Sequence, residues 1–244
     1  MVGPVLFLAA LATVPYGPGE RMAFSVTYLG MRVGLAYIST QAPDGELLPV
    51  KLEARTVGIG SIYKLDEVIN CALDPATGLP VHSQLLANEG GHKHVDTTHF
   101  DRQAGTATVT RQASTSKTDV VPIQPDTTDL LSLVYRLRTV PLAAGDRQTF
   151  PVLSGNKLRV VEAVVEGPER LKTQAGAFDT LRIRVPTGFG GKFSEKNPTY
   201  VWLSDDARRV VVRLSTDFAI GHATADLKSY TPPAAAGGEA ADPP

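Results

Sequence analysis

Apolar and polar positions alternate with a period of two along most of this chain. Within residues 19–38, Phe24, Val26 and Tyr28 fall on one side and Ser25 and Thr27 on the other, before Gly30 turns the chain into a second run. That period belongs to a strand with one buried face. Similar runs recur at 49–57, 62–73, 81–89, 93–100, 106–111 and 118–123. They resume at 148–153, 157–166, 169–173, 180–185, 199–203, 210–214 and 222–229. Turn residues stand between them, most densely in Asp74-Pro75-Ala76-Thr77-Gly78-Leu79-Pro80. Short strands with hairpin-length links predict an all-β, mostly antiparallel chain: a large curved sheet, an incomplete barrel or a sandwich.

One segment breaks the pattern. Leu130, Leu133, Val134 and Leu137 fall on one stripe at helical spacing, which predicts a single central helix over 128–138. Thr127 or Thr128 is the expected N-cap. Asp129 suits the positive end of the helix dipole, and Arg136 and Arg138 suit the negative end. The helix lies near the middle of the chain, so two β-halves joined by it stand as an alternative to one continuous sheet.

The two ends read differently from the middle. An apolar run over 5–14, followed by the small-x-small triplet Ala10-Leu11-Ala12, predicts a signal peptide over 1–12, although no Lys or Arg precedes the run. A β-rich envelope domain is then expected over 13–230. The tail, 231–244, is rich in Pro, Ala and Gly without apolar periodicity, and disorder is expected there. A periodic, β-rich chain behind an export signal is expected in the periplasm or outside the cell.

Composition narrows the partners. With 24 basic against 25 acidic residues, the net charge of −1 lacks the basic excess of a nucleic-acid binder. Cys71 is the only cysteine, so no intramolecular disulfide forms, and its alternating apolar surroundings predict a packed thiol. Aromatic residues make up 7%, too few for the two girdles of an outer-membrane barrel, so an integral membrane protein is not expected.

Candidate chemistry is sparse. Arg182 and Arg184 alternate with apolar neighbours, and Arg209 and Arg213 flank Val211. Were these strands adjacent, four guanidinium groups would line one face and attract a carboxylate or phosphate. Tyr200 and Trp202 share a strand face and, beside polar groups, make a candidate sugar platform. His92 and His94 point to one face of a strand, as two imidazoles sharing a metal require. His99, at odd separation, points away. Adjacent carboxylates such as Asp66/Glu67 and Asp205/Asp206 diverge on a strand, and no nucleophilic-serine signature or cofactor motif is present.

Four segments in order, GERMAFSVTYLGMRVGLAYI, DTTDLLSLVYRLRTVPLAAGD, TQAGAFDTLRIRV and YVWLSDDARRVVVRLSTDFAIGHATADL, resemble the exported bacterial family catalogued as domain of unknown function 3108. The resemblance implies an exported, β-rich envelope protein and carries over no catalytic residues. The expected function is therefore non-catalytic: an envelope β-protein without a cofactor that binds a lipid, a glycan or a partner protein. The alternative is a hydrolase or lyase acting on envelope polysaccharide, with His92 and His94 beside Asp101, Arg182 or Arg184.

Overall fold

The computed structural model describes residues 14–62, 64–187, 196–218 and 221–234. The chain runs through β1 (Arg21–Tyr28), β2 (Met31–Thr40), β3 (Leu48–Thr56), β4 (Leu65–Leu73), β5 (Pro80–Glu89), β6 (His92–Asp101), β7 (Thr106–Gln112) and β8 (Ser116–Pro122). After helix α1 (Leu130–Thr139) come β9 (Arg147–Ser154), β10 (Lys157–Thr173), β11 (Gly176–Val185), β12 (Thr199–Ser204), β13 (Val211–Asp217) and β14 (His222–Thr231). Residues 1–12, the predicted signal peptide, lie outside the described residues.

All fourteen strands belong to one antiparallel sheet, ordered β8-β7-β6-β5-β4-β3-β2-β1-β14-β13-β12-β11-β10-β9. Each half of the chain forms a contiguous block of strands, and the two blocks meet where β1 pairs with β14. This is the open, curved sheet with one helix that the alternation predicts. Two predicted strands, 157–166 and 169–173, prove to be one seventeen-residue strand. Gly167-Pro168 reads as a break, but Gly167 takes φ 141° at a register shift against β11. The bulge absorbs an extra residue and the strand continues.

The sheet rolls without closing. Its inner face packs on α1 through Met22, Phe24, Ile38, Val50, Cys71, Ile183, Val201, Leu203 and Leu227. Strand β9 is buried on both faces. Phe150 and Val152 face that main core, while Leu153 packs with Phe100, Ala107 and Val109 from β6 and β7. The two edges of the sheet thus overlap, one over the other. The free edge of β9 is covered by Thr128, whose N–H donates to Pro151 O (2.9 Å) and whose carbonyl accepts from Leu153 N (2.8 Å). A buried edge needs such partners.

Helix α1 fills one end of the roll. Its N-cap is Asp129 rather than Thr127 or Thr128: Asp129 Oδ1 accepts from Ser132 N (2.7 Å), and Ser132 Oγ accepts from Asp129 N (2.9 Å). This reciprocal capping box outcompetes a threonine cap because it satisfies two orphan donors. Thr127 and Thr128 are instead fully buried. Leu131, Leu133, Tyr135 and Leu137 are buried, a wider face than the predicted stripe because the sheet wraps the helix.

Arg138 does not serve the helix dipole from solvent. It lies wholly buried and grips Glu20 with both arms, Nη1 to Oε2 at 2.8 Å and Nη2 to Oε1 at 2.6 Å. Nη2 also donates to Pro15 O (2.9 Å) and Arg208 O (3.2 Å), and Tyr230 Oη donates to Glu20 Oε1 (3.2 Å). This pair ties the chain start, the helix and β14 together. At the other terminus, Thr231 completes β14 and Ala234 N donates to Pro18 O (2.9 Å), so residues 231–234, assigned to the tail by sequence, pack with the fold. Residues 235–244 lie outside the described residues.

Candidate functional site

Register settles which side chains meet. On the outer face of β11–β13, Arg184 stands opposite Tyr200, and Trp202 lies between Arg182 and Arg213. The Arg182 guanidinium covers Tyr200 at 4.2 Å and Trp202 at 5.4 Å, and Arg213 lies 5.7 Å from the Trp202 ring. Trp202 is 6% exposed, and its Nε1 donates to Glu169 Oε2 (2.8 Å). Arg182 Nε lies 3.0 Å from Glu166 Oε2, off the line of a hydrogen bond, so that contact is electrostatic. Arg213 Nε donates to Asp226 Oδ1 at 2.6 Å.

Five of the six predicted ligand residues therefore share one face, but Arg209 does not join them. It sits at φ 47° in the turn before β13, with Nη1 3.5 Å from Asp205 Oδ1. Sequence parity placed it with Arg213, but its strand starts only at Val211. The stack is charge-compensated by Glu166, Glu169 and Asp226, and the indole face lies under guanidinium groups. Cation–π contact of this kind binds the patch to itself.

The histidines lie on the inner face, where cross-strand rows run Leu65–Glu89–His92 and Ala54–Glu67–Ala87–His94. His92 and His94 do share a face, and His99 points away to meet His82, ring to ring at 5.9 Å. His94 Nε2 is 4.0 Å from Asp96 Oδ2. That carboxylate is already held by Arg111, whose Nε donates to Oδ1 at 2.7 Å and whose Nη2 donates to Oδ2. Among the described residues no three His, Cys, Asp or Glu side chains converge to hold a metal. The sequence sets Glu67 aside with Asp66 as a diverging pair, and its cross-strand partner is not visible there. Its partner is Glu89, across on β5. Burial, with the hydrogen bond and charge of Glu89, pushes the Glu67 carboxyl up to about 7.

A third region was not anticipated. On the outer face of β2–β7, one cross-strand row reads Tyr37–Glu53–Val68–Leu86–Val95–Gln112. The row beside it reads Leu35–Arg55–Asp66–Asn88–Lys93. Between them lie two depressions of about 370 and 520 Å³, which share Asp66 and Val68 and so form one groove across the strands. Val68, Leu86 and Val95 make an apolar stripe on one side, with Leu86 39% exposed. Arg55, Asp66, Asn88 and Lys93 make the opposite side polar. Sequence parity puts each of these residues on an outer face, but only the register of successive hairpins lines them up.

The family model described as "Protein of unknown function (DUF3108)" matches residues 23–228. No curated protein matches the sequence. A solved β-barrel-like protein of DUF1849 from Brucella abortus has the same fold, with a TM-score of 0.58 at 8% identity over 89% of this chain and 98% of that one. A provisionally assigned lipoprotein from Parabacteroides distasonis is aligned at 0.34 and 10% identity, over 90% of this chain and 99% of its own. A provisionally assigned exported protein with a YmcC-like fold from Bacteroides fragilis is aligned at 0.33 and 10% identity, over 90% and 98%. The last two likenesses are too loose to bear on this chain.

Proposed function

The chain belongs to the DUF3108 family, and we propose that it is a non-catalytic protein of the cell envelope, periplasmic or secreted, whose outer groove holds an elongated amphipathic lipid or glycan. The observation that carries this reading is the groove's two-sided lining: an apolar row of Val68, Leu86 and Val95 beside a polar row of Arg55, Asp66, Asn88 and Lys93. A ligand with one apolar and one polar edge satisfies both rows, whereas water satisfies one. The helix end of the roll is packed with side chains, whereas the groove lies open on the outer face. The apolar run over 5–14 supports export.

Native mass spectrometry of protein released from the envelope without detergent tests the reading. A stoichiometric lipid or glycan mass is expected, on a chain beginning at Thr13, and the double variant Leu86→Gln/Val95→Gln loses that mass. A bare mass that takes up no added phospholipid or glycan, or a bound partner protein in its place, overturns the proposal.

One observation favours a second reading. A carboxyl held near pH 7, as Glu67 is, matches a general acid in polysaccharide cleavage. Against it, the two carboxyl groups of a glycosidase stand about 5 Å or more apart with a sugar between them. Glu67 and Glu89 are in hydrogen-bonding contact, without that gap. Turnover of an envelope glycan that vanishes in Glu67→Gln would establish this alternative.

A further inference from the structure

The β1–β2 hairpin breaks a rule of turn chemistry. Its two central residues, Leu29 and Gly30, have φ of 49° and 77°, the positive pair that a two-residue hairpin loop requires. Asn-Gly or Asp-Gly suits such a loop, and a leucine at positive φ is strained. The strain is not repaid by burial, since Leu29 is 56% exposed. Two more large apolar side chains stand out nearby: Met31 at 48% exposure and Ile59 at 53%, the latter on the 3-10 turn Gly58–Ile62. That turn is pinned to β2 through Val57 N donating to Val33 O (2.8 Å). From the other side, Phe218 packs edge-on to Tyr28 at 5.8 Å, and Leu29 reaches the backbone of Gly221.

Exposed cations surround these tips. Arg32 follows Met31, Lys64 follows the 3-10 turn, and Gly90 N donates to Lys64 O (2.8 Å), which brings the β5–β6 turn and Lys93 to the same end of the roll. Lys196 lies at this end too, beside Pro198, whose carbonyl accepts from Asp217 N. Among the described residues, the carboxylates here are Asp66, exposed, and Glu67, Glu89 and Asp217, which are half-buried. Apolar tips ringed by cations match an anionic bilayer, where side chains enter the acyl boundary and cations meet lipid phosphates.

We propose that this end of the roll docks on anionic phospholipid membrane, with Leu29, Met31 and Ile59 inserted and Arg32, Lys64, Lys93 and Lys196 against the headgroups. The docking proposed is peripheral, by these tips; no helix among the described residues is long and apolar enough to cross a membrane. The groove opens toward the same rim through Lys64 and Lys93, but docking does not depend on the groove being occupied.

The test is sedimentation of the detergent-free protein with sucrose-loaded vesicles of equal parts phosphatidylglycerol and phosphatidylethanolamine, against vesicles of phosphatidylcholine alone. The protein is expected to pellet with the anionic vesicles. Partitioning falls at least about tenfold on phosphatidylcholine, in high salt, or in Leu29→Asn/Met31→Ser/Ile59→Ser. Leu29→Asn alone suits the turn, so it keeps or raises the wild-type Tm and still loses several-fold in binding, which covers the case of a triple variant that fails to fold. Leu86→Gln/Val95→Gln pellets as wild type, which separates this inference from the groove. Protein that stays in the supernatant with anionic vesicles, or rim variants that pellet as wild type, overturn it.

Discussion

Replacing Arg138 by Met tests the central tie of the fold. The guanidinium and the Glu20 carboxylate are both inaccessible to solvent, and the bidentate contact at 2.8 and 2.6 Å is the main compensation for two desolvated charges. Arg138→Met leaves Glu20, among the described residues, with only the Tyr230 hydroxyl at 3.2 Å and strips a donor from Pro15 O and Arg208 O. An orphaned buried charge costs about 3–5 kcal/mol. At a urea m-value of roughly 3 kcal/mol/M for a chain of this size, the midpoint falls by about 1–1.7 M. Trp202, the only tryptophan and 6% exposed, reports the transition by fluorescence. The double variant Glu20→Leu/Arg138→Met removes both charges and should lose only about 1–2 kcal/mol, chiefly from the two carbonyls left without a donor. The double variant is then about 2–3 kcal/mol more stable than Arg138→Met alone, which only a coupled pair allows. A loss below about 1 kcal/mol in the single variant, or a double variant as unstable as the two singles summed, refutes the reasoning.

Two further predictions concern titration and reactivity. Glu67 holds its proton in the folded state up to about pH 7, against 4.5 for the free group. The folded state therefore binds more protons between those values, and stability falls as pH rises from about 4.5 to 7. Glu67→Gln removes that loss and gains on the order of 1–3 kcal/mol at pH 8, read by urea titration at pH 5 and pH 8; equal stability of variant and wild type at both would contradict it. The Cys71 thiol is buried, with its pKa driven up by burial and by Asp129 at 3.7 Å. It should resist a disulfide reagent in the native state and react only on unfolding; rapid native labelling would show the packing to be wrong.

Period-two alternation carried most of the fold. It located the strands, the parity of His92 and His94 against His99, and the same-face pairs Arg182/Arg184 and Tyr200/Trp202, because parity is a local property of a strand; that these pairs and Arg213 share one face is set by the register of β11, β12 and β13. What it missed depends on distant residues. Glu20 and Arg138 are 118 positions apart, and nothing local to either marks the other as its partner. Gly167-Pro168 carries the composition of a turn, and only its pairing with β11 makes it a bulge. The groove is assembled from six strands, one or two outer side chains from each, so its continuity exists only in the register. Glu67 and Glu89 meet diagonally between β4 and β5 for the same reason. Leu29 offered one local clue: a leucine before glycine in a tight hairpin, where asparagine would fit the backbone better.

Photo-crosslinking in the living envelope tests the groove most directly. A benzophenone side chain is placed at position 86, and in a separate variant at position 160, where Val160 is exposed on β10 outside the groove. Irradiation should give a lipid or glycan adduct on the protein labelled at 86 and none on the protein labelled at 160. Equal labelling at both positions, or none at 86, would contradict a ligand-holding groove.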